Sequence, residues 1–243
     1  MNHHDSAKKQ LIFFLFMMSG LFMNAQAQLL YEDDFGKEVN FSTSAYANYQ
    51  NGVYHIFAKK GRMVYDAGHP LRDFVAEIKT EFIDGDDKQS YGMFFRARDY
   101  ENYYYFGIAA NGNFEFGYYK KNKWFEISKW KKTSSINLSG INYLRVACTG
   151  PHMELFINGQ LAGKFTDNNY SAGYLGIVAF DEVHIHFDDL KVYRAGTTVD
   201  MKYAFTPETA NTEADYAQDS KAYFLDNFLN RGHHWAQSEE VHY

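Results

Sequence analysis

Tyr91-Gly92-Met93-Phe94-Phe95-Arg96-Ala97-Arg98 is followed, after a short polar break, by Asn102-Tyr103-Tyr104-Tyr105-Phe106-Gly107-Ile108, then Asn113-Phe114-Glu115-Phe116-Gly117-Tyr118-Tyr119-Lys120, then Lys123-Trp124-Phe125-Glu126-Ile127-Ser128-Lys129-Trp130. Neighbouring side chains on a strand point to opposite faces, so these runs sort their residues into two sets. The more apolar set is Tyr91, Met93, Phe95, Tyr104, Phe106, Ile108, Phe114, Phe116, Tyr118, Phe125 and Ile127, and it should form a core. Four successive strands with one apolar side make an antiparallel sheet that needs a second layer to bury that side.

The same pattern of short β-prone runs broken by Gly, Asn and Asp continues from Leu29 to Tyr193. Strands are predicted near 29–35, 52–58, 74–83, 90–98, 102–109, 113–120, 123–130, 142–149, 152–157, 160–166, 174–180 and 183–193. Asn111-Gly112 and Asn158-Gly159 each separate two such runs, and dipeptides of this kind accept the positive φ of tight hairpin turns. No stretch before residue 197 shows a helical period. In the last run Val183, Ile185 and Phe187 share one face while Leu190 and Val192 fall in the opposite phase, which predicts a β-bulge at Asp188-Asp189.

Composition agrees with an all-β chain: aromatics make up 19% of the sequence, with 20 Tyr and 22 Phe, residue types suited to a half-buried pleated surface. The formal charge of −6 and the lack of a basic stripe argue against nucleic acid as a partner. Cys148 is the single cysteine, so no intrachain disulfide can form and stability must come from burial. Its alternation with Leu144 and Val146 marks it as an inert core thiol.

At the N-terminus Lys8 and Lys9 precede an apolar run from Leu11 to Met23 and the small-residue pattern Ala25-Gln26-Ala27. This reads as a secretory signal peptide over residues 1–27. The run of about 13 residues is short of the roughly 20 that span a bilayer, so no membrane span is expected in the mature chain. The location expected is secreted, periplasmic or cell-surface. Residues 28–196 are expected to form the sandwich. Residues 197–243 read as a polar, mostly irregular tail with one short helix near 219–231, whose apolar stripe could dock on the sandwich or on a protein partner.

Three passages resemble a known superfamily when taken in order: Asp33-Asp34-Phe35, the pair of runs from Tyr91 to Arg96 and from Glu101 to Ile108, and Phe187-Asp188-Asp189-Leu190. With Asn142-Tyr143-Leu144-Arg145-Val146 and Glu154-Leu155-Phe156-Ile157-Asn158-Gly159-Gln160 between them, the chain is similar to concanavalin A-like lectin/glucanase domains, near the laminin-G-like and 3-keto-disaccharide hydrolase-like bacterial members. The resemblance covers roughly residues 29–194. It implies a two-sheet antiparallel jelly-roll sandwich with first and last strands adjacent, commonly used to bind glycans, though fold alone assigns no activity.

The face opposite the apolar set carries the candidate ligand residues: Phe94, Arg96, Arg98, Tyr103, Tyr105, Tyr119, Trp124 and Trp130, with Glu115 and Glu126. Rings that stack on a pyranose beside charges that bond its hydroxyls suit a carbohydrate or surface glycan. The bland alternative is that these rings pack under loops or under the C-terminal helix. Asp33, Asp34, Asp188 and Asp189 are candidates for a structural calcium site, since hard cations collect carboxylates; local turn and capping bonds are the competing use. No other cofactor is suggested. His184 and His186 share a strand face at a spacing that could hold zinc, but no third ligand is evident nearby and they are read as solvent-facing.

Catalysis has little support. Glu77 and Glu81 share a face but lie roughly 13 Å apart by strand rise, too far for a retaining pair. Glu115 and Glu126, on adjacent strands, are the one carboxylate pair worth testing. Noncatalytic glycan binding is therefore the leading expectation. A sugar-active hydrolase or lyase of the keto-disaccharide hydrolase-like group, and an assembly component working through the C-terminal helix, are the alternatives.

Overall fold

The computed structural model describes residues 28–38, 41–59, 63–66 (backbone only) and 70–196. The expected signal peptide and the helix near 219–231 lie outside the described residues. Among these the chain is all-β, with no helix, and forms a two-sheet antiparallel sandwich.

The strands are β1 (Leu29–Asp33), β2 (Ala47–Gln50), β3 (Val53–Ala58), β4 (Met63–Asp66), β5 (Phe74–Gly85), β6 (Tyr91–Asp99) and β7 (Asn102–Ile108). They continue as β8 (Asn113–Lys120), β9 (Lys123–Lys132), β10 (Asn142–Thr149), β11 (His152–Ile157), β12 (Gln160–Thr166), β13 (Tyr174–Ala179) and β14 (Val183–Arg194). β2 and β4 are not among the predicted strands; each has only four residues, too few to show a period. One eight-stranded sheet runs β12-β11-β10-β5-β14-β3-β2, with β1 on β14, and a six-stranded sheet runs β4-β13-β6-β7-β8-β9. The first and last strands are paired, with Asp33 opposite Leu190.

The inner faces of the two sheets meet in one core. Tyr54, Ile56, Phe74, Ile78, Leu144, Val146, Leu155, Ile185 and Phe187 from the larger sheet face Met93, Phe95, Tyr104, Phe106, Phe116 and Ile177 from the smaller. Burying each large apolar side chain is worth about 1.5–3 kcal/mol, which lets the sandwich stand without a disulfide. Cys148 is fully buried in this core, and burial pushes its thiol up to about 12, so it is inert. Phe125 departs from the expected core: it is 42% exposed. β9 is the edge strand of its sheet, where the Phe125 ring stacks on Tyr118 at 5.0 Å.

Two backbone kinks reset the alternation. Asp189 has φ 47°, and the β14–β5 register shifts between Asp188 and Lys191; this is the bulge predicted from the phase change in β14. Arg96 has φ 50°, with a register shift in β6–β7 between Phe95 and Asp99. That second kink left no mark in the apolar pattern. It takes Arg96 off the ligand face expected for it: the guanidinium is 1% exposed and donates to the carbonyls of Arg72 at 2.8 Å and 3.1 Å, Gly150 at 2.7 Å and Tyr170 at 3.4 Å. Asp73 lies 3.6 Å away. Arg96 therefore ties the segment before β5, the β10–β11 turn and the loop before β13 together at one end of the sandwich.

Replacing Arg96 by Ala strands those carbonyls, and an unpaired buried polar group costs about 1–3 kcal/mol. We expect Arg96→Ala to lower unfolding free energy by about 3 kcal/mol or more, measured by urea denaturation; a loss below about 1 kcal/mol would show that the latch is dispensable.

Candidate functional site

The outer face of β6, β7, β8 and β9 is where the ring-rich set lies. Register places Phe94 opposite Tyr105 and Gly92 opposite Gly107, Tyr103 opposite Tyr119, Tyr105 opposite Gly117 and Gly107 opposite Glu115, and Trp124 opposite Tyr119 and Glu126 opposite Gly117. The rings lie over the glycines. A Cβ at position 107 would collide with the Tyr105 hydroxyl, and one at 117 would come within 2.6 Å of Cη2 of Trp124. Only glycine at these two places lets Tyr105 and Trp124 lie down on the sheet.

The consequence corrects the picture of an open aromatic surface. Phe94, Tyr103, Tyr105 and Tyr119 are buried, and with Ala97 and Val178 they form a second small apolar cluster against which Trp124, Tyr174 and Phe180 pack. Ring centroids stand 5.5 Å apart for Phe94–Tyr103, 5.1 Å for Tyr103–Tyr119 and 5.2 Å for Tyr119–Trp124. Aromatic pairs prefer such tilted packing to exposure. Arg98, beyond the kink at Arg96, is exposed with its guanidinium 5.3 Å from the centre of the Tyr170 ring. Arg96 and Arg98 are thus engaged elsewhere, and the arginines expected among the rings supply no charge to this face.

What remains reachable is a cleft of about 280 Å³ toward the β9 edge. It is lined by Lys88, Gln89, Ser90, Tyr105, Glu115, Tyr119, Trp124, Trp130 and Phe180. Trp130 is 37% exposed, Trp124 is half-buried and Glu126 is exposed. A hydrogen-bond chain runs along the floor: the Tyr105 hydroxyl donates to Ser90 Oγ at 2.8 Å, and Ser90 Oγ donates to Glu115 Oε1 at 2.6 Å. Burial raises the Glu115 carboxyl above its ordinary value; the Ser90 bond opposes this and the negative charge of Glu126 adds to it. Burial, then the charge of Glu115, hold Tyr105 well above the usual phenol range, so its hydroxyl stays a donor. Lys88 and Gln89 were missed by sequence reasoning because they lie in the turn before β6, and Ser90 and Phe180, at the ends of predicted strands, because only the sheet order brings them beside Tyr105.

The other predicted sites have different outcomes. Oδ1 of Asp33 accepts from the Phe35 amide at 2.8 Å, and Oδ1 of Asp34 accepts from the Gly36 amide at 3.0 Å. Asp188 and Asp189 lie 3.5 Å and 2.5 Å from Lys79 Nζ. The four aspartates considered for calcium thus make turn bonds and an ion pair. Among the described residues one group alone brings three metal-ligating side chains together, and it is His55, His184 and His186. His186 is 3% exposed and His55 4%, so the expectation of solvent-facing histidines fails for His186. The third histidine stands on β3, opposite His186 across the sheet; 129 residues separate it from His184, so no local spacing could reveal it.

The arrangement is a two-sheet antiparallel sandwich of the concanavalin A-like fold, and the following solved structures are similar to it. Carbohydrate-binding module CBM66 from Bacillus subtilis superposes with a TM-score of 0.50 at 16% identity, over 65% of this chain and 94% of that one. The GH43 protein BlXynB from Bacillus licheniformis gives a TM-score of 0.55 at 12% identity, over 67% of this chain but 39% of that one. Laminarinase from Flavobacterium sp. UMI-01 gives 0.51 at 14% identity, over 69% of this chain and 100% of that one. At these identities the likeness is one of fold. The sequence matches no protein-family model and no curated protein sequence.

Because the Glu115 carboxyl is raised in the folded chain, its contribution to stability is full below about pH 4.5 and is lost as pH rises through the folded value. Glu115→Gln should therefore melt higher than the parent at pH 7 and equal to it near pH 3. Thermal melts at both pH values check this; a variant that melts lower at pH 7 would contradict the assignment.

Proposed function

We propose that this chain is an exported, noncatalytic module that binds carbohydrate in the cleft at the β9 edge. The observation that carries the reading is the pairing, in one concave site, of Trp124, Trp130 and Phe180 with the Tyr105–Ser90–Glu115 hydrogen-bond chain. A pyranose has an apolar face and a rim of hydroxyls; indole rings accept the first, and Glu115, Gln89 and Lys88 accept or donate to the second. Fixing the polar groups in a bonded chain lowers the ordering cost of binding. The CBM66 fold likeness supports the same role. Export is supported by the leader-like residues 1–27; among the described residues no helix is long and apolar enough to cross a membrane.

Glu115 also motivates a second reading. One carboxyl raised by burial beside an exposed second one is the pattern by which sugar hydrolases separate an acid from a base. Reducing-sugar release from an oligosaccharide panel, abolished in Glu115→Gln and Glu126→Gln, would favour hydrolysis over binding.

For the binding role, Trp130→Ala and Trp124→Ala should each weaken retention on the best ligand of a glycan array roughly 10- to 30-fold, the loss typical of a buried aromatic anchor. Trp130→Ala should leave the melting temperature unchanged, since that ring is partly in solvent. Retention equal to the parent in both variants would discard the cleft. Edman sequencing of the exported protein should begin at Gln28; an intact Met1 in the exported fraction would discard the leader.

A further inference from the structure

On the outer side of the eight-stranded sheet, away from the cleft, β3 and β14 bring three imidazoles together. His184 and His186 alternate with the core residues Val183, Ile185 and Phe187, and His55 alternates with Tyr54 and Ile56, so all three project from the same outer face. One ring nitrogen of each lies within 4.8 Å of the others. His55 Nδ1 stands 3.0 Å from His184 Nε2. Two nitrogens bound to one tetrahedral zinc at about 2.0–2.1 Å would stand about 3.3 Å apart. The His55–His184 pair is close to that spacing, and the ligand nitrogens of all three rings lie within 4.8 Å of one another.

The chemistry of the trio fits as well as its spacing. His55 Nε2 meets the Gln50 carbonyl at 3.2 Å, and a carbonyl only accepts, so the proton of neutral His55 sits on Nε2. Nδ1 of His55 then accepts from Nε2–H of His184, and a metal ion would take the place of that shared proton. A backbone carbonyl that fixes the tautomer in this way is the usual support of a metal-ligating histidine. Phe57 stacks on His184 at 4.1 Å, fixing the second ring. On the far side of β14, β5 places Asp84 opposite His184 and Glu81 opposite His186, two acidic residues beside a site that would otherwise gain a double positive charge.

We propose that His55, His184 and His186 form a three-histidine site for a divalent first-row transition ion such as zinc, with the fourth position open on the side of the half-buried His184. The site is independent of glycan binding, lying on the other sheet.

The test is calorimetric titration of the chelator-stripped full chain with Zn²⁺, with the metal retained after gel filtration measured by elemental analysis. The chain holds other histidines, including His233 and His234 in the tail, so His233→Ala/His234→Ala serves as the control. The parent and this control should each bind about one equivalent, with a rise in melting temperature. His184→Ala should lose affinity more than about 100-fold, beyond what removing a supporting group costs, and its melting temperature should no longer respond to Zn²⁺. Should His184→Ala fail to fold, an anomalous difference map from zinc-soaked crystals of the parent decides the matter. A peak between the three rings supports the site, and a peak elsewhere or none overturns it. Binding that persists in folded His184→Ala, or disappears in the tail variant, also overturns it, leaving the trio as a packing cluster.

Discussion

The strict two-residue repeat of side-chain direction along a paired strand is the constraint on which this molecule rests. With no disulfide available, each sheet must turn one continuous apolar side toward the other, and every residue that breaks phase must be absorbed by the backbone. Two strands absorb it by a left-handed residue, Asp189 in β14 and Arg96 in β6. The first keeps Leu190 and Val192 in the core after Phe187. The second swings a guanidinium into the end of the sandwich, where it fastens three loop segments.

How far the fold could be read from sequence follows from the same repeat. β14 announces its bulge because apolar residues stand on both sides of it in opposite phases. β6 does not, since Phe94, Phe95, Ala97 and the glycine at 92 allow an apolar side in either phase around Arg96. The hairpins at Asn111-Gly112 and Asn158-Gly159 were legible from their dipeptides, and Asn158 and Gly159 indeed have φ 51° and 75°. Strands of four residues were not legible, nor was the exposure of Phe125, because nothing in β9 tells that it lies at an edge. The candidate cleft was half legible: Trp124, Trp130, Tyr105 and Glu115 follow from alternation, whereas Ser90 and Phe180, at the ends of predicted strands, are brought beside them only by the sheet order β13-β6-β7-β8-β9. The histidine trio required the pairing of β3 with β14, which is a fact of topology.

The two outer faces of the scaffold are built differently. On the smaller sheet glycines remove side chains so that large rings can recline, leaving a hollow floored by hydroxyls and a carboxyl. On the larger sheet the outer side is studded with charge pairs, Lys79 with Asp188 and Asp189 and Arg145 with Glu77 at 3.4 Å, and with the imidazoles. Exposed or half-exposed pairs of this kind add little to stability, which leaves the shared interior to supply it.

The sealed position of Cys148 has a bearing on quality control. A thiol at 0% exposure is silent toward oxidants as long as the sandwich is closed, and becomes reactive when it opens. Covalent dimers linked through this sulfur would therefore keep a permanent tally of every molecule that opened before it could reclose.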